Sequence, residues 1–181
     1  MSTLLRRALI TAAMFTAVIP TTSSQSAAHA AVQPPATPAI ATFEGRKINL
    51  QSDWEAATAC HIDAEGDAAC FRDEHEMDTY IEQIEATASR ATNCSSSARL
   101  YANTSHGGAV VSFSQRSTWI NLSAYGFDNV TSSYRIGNCS AVFKASSFGG
   151  GGTYPGSTAA GASSTSMSSG WDNVVSSIWI N

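Results

Sequence analysis

The sequence is poor in charge, in cysteine and in long apolar runs. Charged residues make up 13% of the 181 residues, and there are four cysteines. The apolar run Ala8 to Ile19 is shorter than the ~20 residues that cross a bilayer, and no later run is longer. Lysine and arginine form no basic stripe. We therefore expect neither a membrane nor a nucleic acid as a partner.

Residues for catalysis are also scarce. Beyond the N-terminal segment the histidines are His61, His75 and His106, and no G-x-S-x-G motif occurs. Because no nucleophile, base and orienting group can be named together, we do not expect an enzyme.

The N-terminus has the three parts of a secretory signal peptide. Arg6 and Arg7 precede the apolar run, and Ala28-His29-Ala30 forms an A-x-A cleavage site. The sequence predicts a signal peptide over residues 1–30, a mature chain that begins at Ala31, and a secreted, extracellular protein.

Charge divides the remainder of the chain into two parts. Residues 31–92 contain twelve acids against four bases, whereas residues 93–181 contain two acids against four bases. Such asymmetry indicates two units of different character. We predict a flexible leader over 31–42, a small hairpin and acidic helix unit over 43–92, and a β domain over 93–181.

The small unit begins with two short β-prone runs, 59–62 and 68–71, on either side of a polar turn, a pattern typical of a hairpin. A helix follows, in which Asp73 and Glu76 form a capping box. One face of this helix is apolar: Met77, Tyr80, Ile81, Ile84 and Ala88. The acids Glu74, Asp78, Glu82 and Glu85 are predicted to be a solvated face.

The second part contains an internal repeat. Residues 126–136 recur as 170–180, and the tripeptide 93–95 recurs as 138–140. Glycine pairs also recur, Gly107-Gly108 in the first copy and Gly149-Gly150 in the second. We predict two motifs, 93–137 and 138–181, whose alternating strands pack as two sheets.

The even number of cysteines in an exported chain indicates disulfides, and four cysteines allow three pairings. The predicted hairpin brings Cys60 opposite Cys70. Cys94 and Cys139 open the two repeat copies at equivalent positions. We therefore predict the bridges Cys60–Cys70 and Cys94–Cys139.

The two acids of the repeat domain, Asp128 and Asp172, lie at matching positions. Each is followed by an asparagine and, four residues on, by a serine. Such loops offer carboxylate, amide, carbonyl and hydroxyl oxygens, which Ca²⁺ prefers. The sequence predicts two weak calcium sites of extracellular type. The alternative is that these side chains only cap turns.

Residues 128–133 and 172–177 resemble the calcium signature of βγ-crystallins, N/D-N/D-x-x-S/T-S. The resemblance covers residues 93–181 and implies a mainly β, βγ-crystallin-like double Greek-key sandwich, preceded here by the hairpin-plus-helix unit. It also implies that each of two calcium ions is held by both motifs. The implied ligands are Asp128, Asn129, Ser132, Asp172, Asn173 and Ser176, with the carbonyls of Val130 and Val174 and of the turns near Ser105-His106 and Ser147-Phe148.

The whole chain is similar to exported bacterial proteins grouped with the Streptomyces metalloproteinase inhibitor family. That resemblance implies an alternative function, inhibition of a secreted metalloprotease, with the protease as partner. Calcium binding describes the module and inhibition describes a target, so both can hold for one protein. We expect the chain to be a monomer.

Overall fold

The computed structural model describes residues 37–87 and 97–181. These ranges contain β-strands, one α-helix and three short 3-10 turns. The strands are β1 Ile40–Phe43, β2 Arg46–Asn49, β3 Ala59–Ile62, β4 Ala68–Phe71, β5 Ala98–Asn103, β6 Gly107–Phe113, β7 Trp119–Asn121, β8 Ser133–Arg135, β9 Ala141–Lys144, β10 Ser163–Ser164 and β11 Ser177–Ile180. The helix is α1 Glu74–Thr87, and the 3-10 turns are Thr104–His106, Leu122–Tyr125 and Ser147–Gly149.

The strands form two sheets. The large sheet has the order β10-β8-β5-β6-β3-β4-β1-β2, and the small sheet has the order β7-β11-β9. Strands from both predicted parts of the chain share the large sheet, because β3 pairs in parallel with β6. All described residues belong to one compact unit, Pro35–Asn181.

The two repeat copies exchange strands between the sheets. Strands β5, β6 and β8 of the first copy lie in the large sheet, whereas its β7 pairs with β11 in the small sheet. In the second copy β9 and β11 lie in the small sheet, whereas β10 pairs with β8 in the large one. Each copy thus gives one strand to the sheet of the other, and this topology confirms the predicted mainly β double Greek-key sandwich.

The core lies between the two sheets and contains the alternating residues expected from the repeat. Tyr134 and Ile136 of the first copy and Ile178 and Ile180 of the second are all buried. Each such side chain contributes roughly 1.5–3 kcal/mol through its removal from water. The duplicated pattern therefore specifies one shared core.

The hairpin β3–β4 agrees with the prediction from the polar turn. Cys60 lies directly opposite Cys70, and the two form a disulfide, as predicted. The Asp63 carboxylate closes the turn by accepting hydrogen bonds from three amide N–H groups, those of Glu65, Gly66 and Asp67. The second predicted bridge involves Cys94, which lies outside the described residues.

Helix α1 begins with the expected cap. The Asp73 carboxylate accepts a hydrogen bond from the Glu76 N–H at 2.9 Å. Met77 and Ile81 are buried against Tyr101 and Val110, on the face of the large sheet that points away from the core. The helix therefore covers part of the outer face of the sandwich.

Two of the acids predicted to be solvated are instead bound. Arg99 on β5 donates hydrogen bonds to Glu74 at 2.7 Å and to Asp78 at 2.5 Å. Sequence periodicity placed these carboxylates away from the apolar stripe, but it could not show that an arginine of the sheet reaches the helix flank. The pairs fasten α1 to the first repeat copy.

At the N-terminal boundary, strand β1 starts at Ile40, inside the stretch predicted as the leader. The predicted signal peptide, 1–30, lies outside the described residues. In residues 37–87 and 97–181, no helix is long and apolar enough to cross a membrane.

Candidate metal centre

The two signature loops lie against each other and are joined by reciprocal backbone hydrogen bonds. The Asn129 N–H donates to the carbonyl of Val175, and the Asn173 N–H donates to the carbonyl of Thr131, both at 3.0 Å. Thr131 and Val175 are equivalent in the repeat, so a pseudo-twofold axis relates the two loops.

Both signature asparagines have left-handed backbone conformations. The φ angle is 57° at Asn129 and 56° at Asn173. Asparagine adopts this region more readily than other residues with a side chain. Asparagine at the second position of each signature therefore suits the backbone conformation, and its amide also supplies an oxygen.

The side chains cross from one copy to the other. Ser132 Oγ lies 3.3 Å from Asn173 Oδ1, and Ser176 Oγ lies 3.4 Å from Asn129 Oδ1. Two oxygen pairs result, each with one member from each loop. The serines are buried and the asparagines are exposed, so each pair lies between the interior and solvent.

The two signature aspartates differ in environment. Asp128 is half-buried; its Oδ2 accepts a hydrogen bond from Asn129 Nδ2 at 3.2 Å, while its Oδ1 is buried without a hydrogen-bond partner. Asp172 is exposed. An unpartnered buried carboxylate oxygen is costly, and such atoms often mark a site for an ion.

The backbone adds further free oxygens. Among the described residues, no hydrogen bond uses the carbonyls of Val130 and Val174. Both residues are half-buried within the signature loops. Carbonyl, amide, hydroxyl and carboxylate oxygens form a donor set that suits a hard cation such as Ca²⁺.

This donor set differs from that of a transition-metal site. In residues 37–87 and 97–181, no three His, Cys, Asp or Glu side chains come together in a group that could hold a metal. Zinc requires such nitrogen, sulfur or carboxylate ligands, usually four of them. The residues present therefore fit an oxygen-bound ion with few charged ligands.

Sequence reasoning missed the role of the second serine of each signature. Ser133 Oγ donates to the carbonyl of Asn103 at 2.6 Å and accepts from the His106 N–H at 3.1 Å. Ser177 makes the same pair of bonds in the second copy, to Ser146 and Gly149. These serines fasten the turns Thr104–His106 and Ser147–Gly149 beside the loops.

These bonds also correct the alignment of the repeat in that turn. His106 is equivalent to Gly149, and Ser105 is equivalent to Phe148, whereas matching the glycine pairs Gly107-Gly108 and Gly149-Gly150 in the sequence aligns His106 with Phe148. The backbone supports the structural alignment, since φ is 58° at Ser105 and 53° at Phe148. The recurring glycines misled the alignment because they are offset by one position between the copies.

One serine–histidine pair, Ser163 and His106, has the residue types of a nucleophile and a base. Ser163 Oγ lies 3.3 Å from Nε2 of His106, and Nδ1 of the same ring lies 3.3 Å from the Arg135 guanidinium. Arginine can only donate, so Nδ1 is the acceptor and Nε2 of the neutral ring carries the proton. In this tautomer His106 donates to Ser163, so the contact does not place a base on the serine hydroxyl.

Solved structures of βγ-crystallin domains are similar to about half of the chain. The chain is similar to a βγ-crystallin from Ciona intestinalis (17% identity, 47% of this chain and 99% of that one, TM-score 0.40). It is similar to the N-terminal domain of protein S (20%, 48% and 96%, 0.40) and to a βγ-crystallin domain from Flavobacterium johnsoniae (21%, 46% and 92%, 0.38). No protein-family model and no curated protein matches the sequence.

The fold is a βγ-crystallin-like double Greek-key sandwich, in which each repeat copy places one strand in the sheet that holds the other strands of its partner copy. Strands β1 to β4 extend the large sheet beyond the strands of the repeat copies, and the helix covers part of that sheet.

Proposed function

We propose that the protein is a secreted calcium-binding protein that holds two ions between the loops of its two repeat copies. The observation that carries this proposal is the pair of crossed oxygen contacts, Ser132 with Asn173 and Ser176 with Asn129. Two matching oxygen clusters related by pseudo-symmetry suit two ions, one per cluster.

Within each cluster the serine and asparagine oxygens would be joined by a free valine carbonyl, from Val130 or Val174. The carboxylates of Asp128 and Asp172 would supply the charge. The buried, unpartnered Oδ1 of Asp128 supports this assignment, since an ion would satisfy it. With one carboxylate per ion we expect weak binding, with a Kd of ~10⁻⁴–10⁻³ M.

The test uses variants that remove an oxygen and keep the backbone. In Asn129→Gly and Asn173→Gly the amide is lost, while glycine accepts a positive φ without strain. We expect calorimetric titration to show two calcium ions bound by the parent protein and one by each variant. A control, Asp53→Asn, removes a carboxylate outside the loops and should keep both ions.

A thermal melt gives an independent reading of the same proposal. Calcium that binds the native state should raise the melting temperature, whereas magnesium, which demands a tight octahedral shell, should raise it much less. If millimolar calcium neither shifts the melt nor gives binding heat, the loops are only turns and the proposal fails.

Secretion is part of the proposal. The Cys60–Cys70 disulfide is typical of an oxidising compartment, in agreement with the predicted signal peptide. Mass spectrometry of exported protein should find a chain that begins at Ala31; retention of Arg6 and Arg7 would contradict it. Inhibition of a metalloprotease, the absence of enzymatic activity and a monomeric state remain predictions of the sequence.

A further inference from the structure

The outer face of the small sheet carries aromatic side chains. Trp119 on β7 lies opposite Trp179 on β11, and their ring centroids are 5.5 Å apart. Their strand neighbours Ile120 and Ile178 point into the core, so both indoles point outwards, where each is half-buried. Phe148 lies on the turn beside β7 and is 41% exposed.

The turn that carries Phe148 is held rigidly against this face. The Phe148 N–H donates to Asn121 Oδ1 at 2.6 Å, and a Cβ at Gly149 would overlap the Trp119 ring. Phe148 itself has a φ of 53°, a conformation that costs roughly 1–2 kcal/mol for a residue with a side chain. A bulky aromatic residue is therefore exposed, at a strained position, on the turn that packs against Trp119.

The same face has little charge. Lys144 on β9 donates to Thr153 Oγ1 at 2.9 Å, and Arg116 at the end of the sheet donates to the main-chain oxygen of Asn181, also at 2.9 Å. The two acids of residues 97–181 lie in the signature loops, not on this sheet. The surface is thus aromatic, flanked by amide and hydroxyl groups, with its cations engaged in hydrogen bonds.

The size of the face limits what it can bind. Its strands have three, four and four residues. At ~3.3 Å per residue and ~4.8 Å between strands, the face measures about 13 by 10 Å. A stable protein interface needs roughly 800 Å² from each partner, several times this area. A small, uncharged ligand matches the face better than a protein does.

We propose that this face binds the sugar rings of an uncharged polysaccharide. One side of a pyranose ring presents C–H groups, whose positive polarisation suits the electron-rich face of an indole. Its hydroxyl groups point around the rim, where they remain hydrated or bond to amide and hydroxyl side chains. A neutral sugar also needs no countercharge, and the two cations of this face already donate hydrogen bonds to oxygens of the protein.

The repeat itself supplies the variants that test the proposal. Trp179→Arg installs the residue of the equivalent position, Arg135, and Trp119→Ser installs that of Ser163, so the fold has already accommodated both residues. The control Ile40→Ser removes the other large exposed apolar side chain among the described residues, on the large sheet. Far-UV circular dichroism and a thermal melt would check that each variant is folded.

The experiment measures retention of the mature protein on insoluble cellulose, chitin and β-1,3-glucan, with and without calcium. We expect retention on at least one of them in both conditions, about a tenfold loss in either tryptophan variant, and no change in the control. A tenfold loss corresponds to ~1.4 kcal/mol, which is the upper part of the range for one aromatic contact. A soluble oligosaccharide of the retained type should quench the tryptophan fluorescence of the parent protein.

Other outcomes would overturn the proposal. Retention on none of the polysaccharides would do so, as would equal retention of Trp179→Arg and the parent protein. If light scattering instead finds a dimer that Trp179→Arg dissociates, and no polysaccharide retains the protein, the face belongs to a second copy of the chain. Retention that persists in chelator would also separate this proposal from the calcium proposal.

Discussion

The two repeat copies share a core and a loop geometry but differ on their outer faces. In the first copy, Arg99 and Arg135 lie on the outer face of the large sheet, and the acidic helix α1 binds there. At the equivalent positions of the second copy stand Val142 and Trp179, and no described element covers them. The two copies thus have similar residues at the positions that pack in the core and different residues at the positions that face outwards.

The two signature loops differ less from each other than the two outer faces do. The crossed serine–asparagine distances differ by only 0.1 Å (3.4 − 3.3 Å) between the copies, yet Asp128 is half-buried while Asp172 is exposed. Near the first loop, Trp54 donates from Nε1 to the carbonyl of Tyr125 at 2.9 Å and packs against Phe127. The N-terminal strands and their connections therefore alter the surroundings of one loop only.

The largest expected effect comes from the glycines that precede the two loops. Gly126 and Gly170 both have positive φ, 66° and 76°. A Cβ at Gly126 would overlap the carbonyl oxygen of Leu50, whereas a Cβ at Gly170 would meet nothing within 4 Å. We expect Gly126→Ala to lower the free energy of unfolding by about 3 kcal/mol and Gly170→Ala by about 1 kcal/mol. Urea denaturation measures both, and equal losses would show that the N-terminal contact is not rigid.

The second effect is a pH dependence of stability, and it arises from His61 on the face of the large sheet that α1 covers. His61 is 2% exposed beneath α1, and its Nδ1 lies 3.2 Å from Ser112 Oγ. Burial lowers the pKa of His61 to about 4; the charge of Asp63 opposes this shift and that of Arg99 adds to it. In the unfolded chain the pKa is about 6.5, so between these values the unfolded state binds the extra proton.

Stability should therefore be full above pH 6.5 and should fall as the pH drops towards 4, by roughly 3 kcal/mol from this group. The variant His61→Gln cannot titrate and should lose that part of the pH dependence. Unfolding in urea at pH 7.5, 5.5 and 4 would measure the difference between the two proteins. Parallel pH profiles would mean that His61 is not buried in solution.

The third prediction concerns Arg99 on β5 and Val142 on β9, which occupy equivalent outward-facing positions in the two copies. Arg99→Met keeps apolar bulk but removes both bonds to the helix, and Glu74 and Asp78 then lose their cation. Because these groups are partly exposed, we expect a loss of about 1.5 kcal/mol. Val142→Ala should cost less than about 1 kcal/mol. Hydrogen exchange should show faster opening of α1 in the first variant and no change of α1 in the second.

Much of this arrangement could be predicted from residue patterns. The hairpin disulfide followed from two short runs around a polar turn, and the sandwich followed from duplicated period-two strands. Such patterns repeat locally and need no knowledge of distant contacts. The parallel pairing of β3 with β6 joins residues far apart in the chain, so it could not be predicted from local sequence patterns.

The site shows the same limit. Matching aspartates, asparagines and serines pointed to the two loops, because their spacing recurs in sequence. The different burial of Asp128 and Asp172 was not visible, since it depends on contacts of the N-terminal part with one loop. The hydrogen bonds by which Ser133 holds the neighbouring turn were not predicted either, because a serine that follows a serine forms no distinctive sequence pattern.

The smallest effect concerns Asp128 and Asp172 in the absence of metal. Asp128→Asn replaces a charged oxygen that is buried and unpartnered by a neutral amide of the same size. A neutral buried group costs less than a charged one, so in chelator this variant should be more stable than the parent by about 0.5–1 kcal/mol. Asp172→Asn changes an exposed group and should stay within about 0.5 kcal/mol of the parent. In saturating calcium the order should reverse, because each variant then loses a charged ligand, and Asp128→Asn should become the less stable of the two. Melts of both variants with chelator and with calcium would measure this reversal. If Asp128→Asn is destabilising in chelator, its carboxylate already stabilises the metal-free fold, and its buried Oδ1 is not the costly unpartnered atom that the prediction assumes.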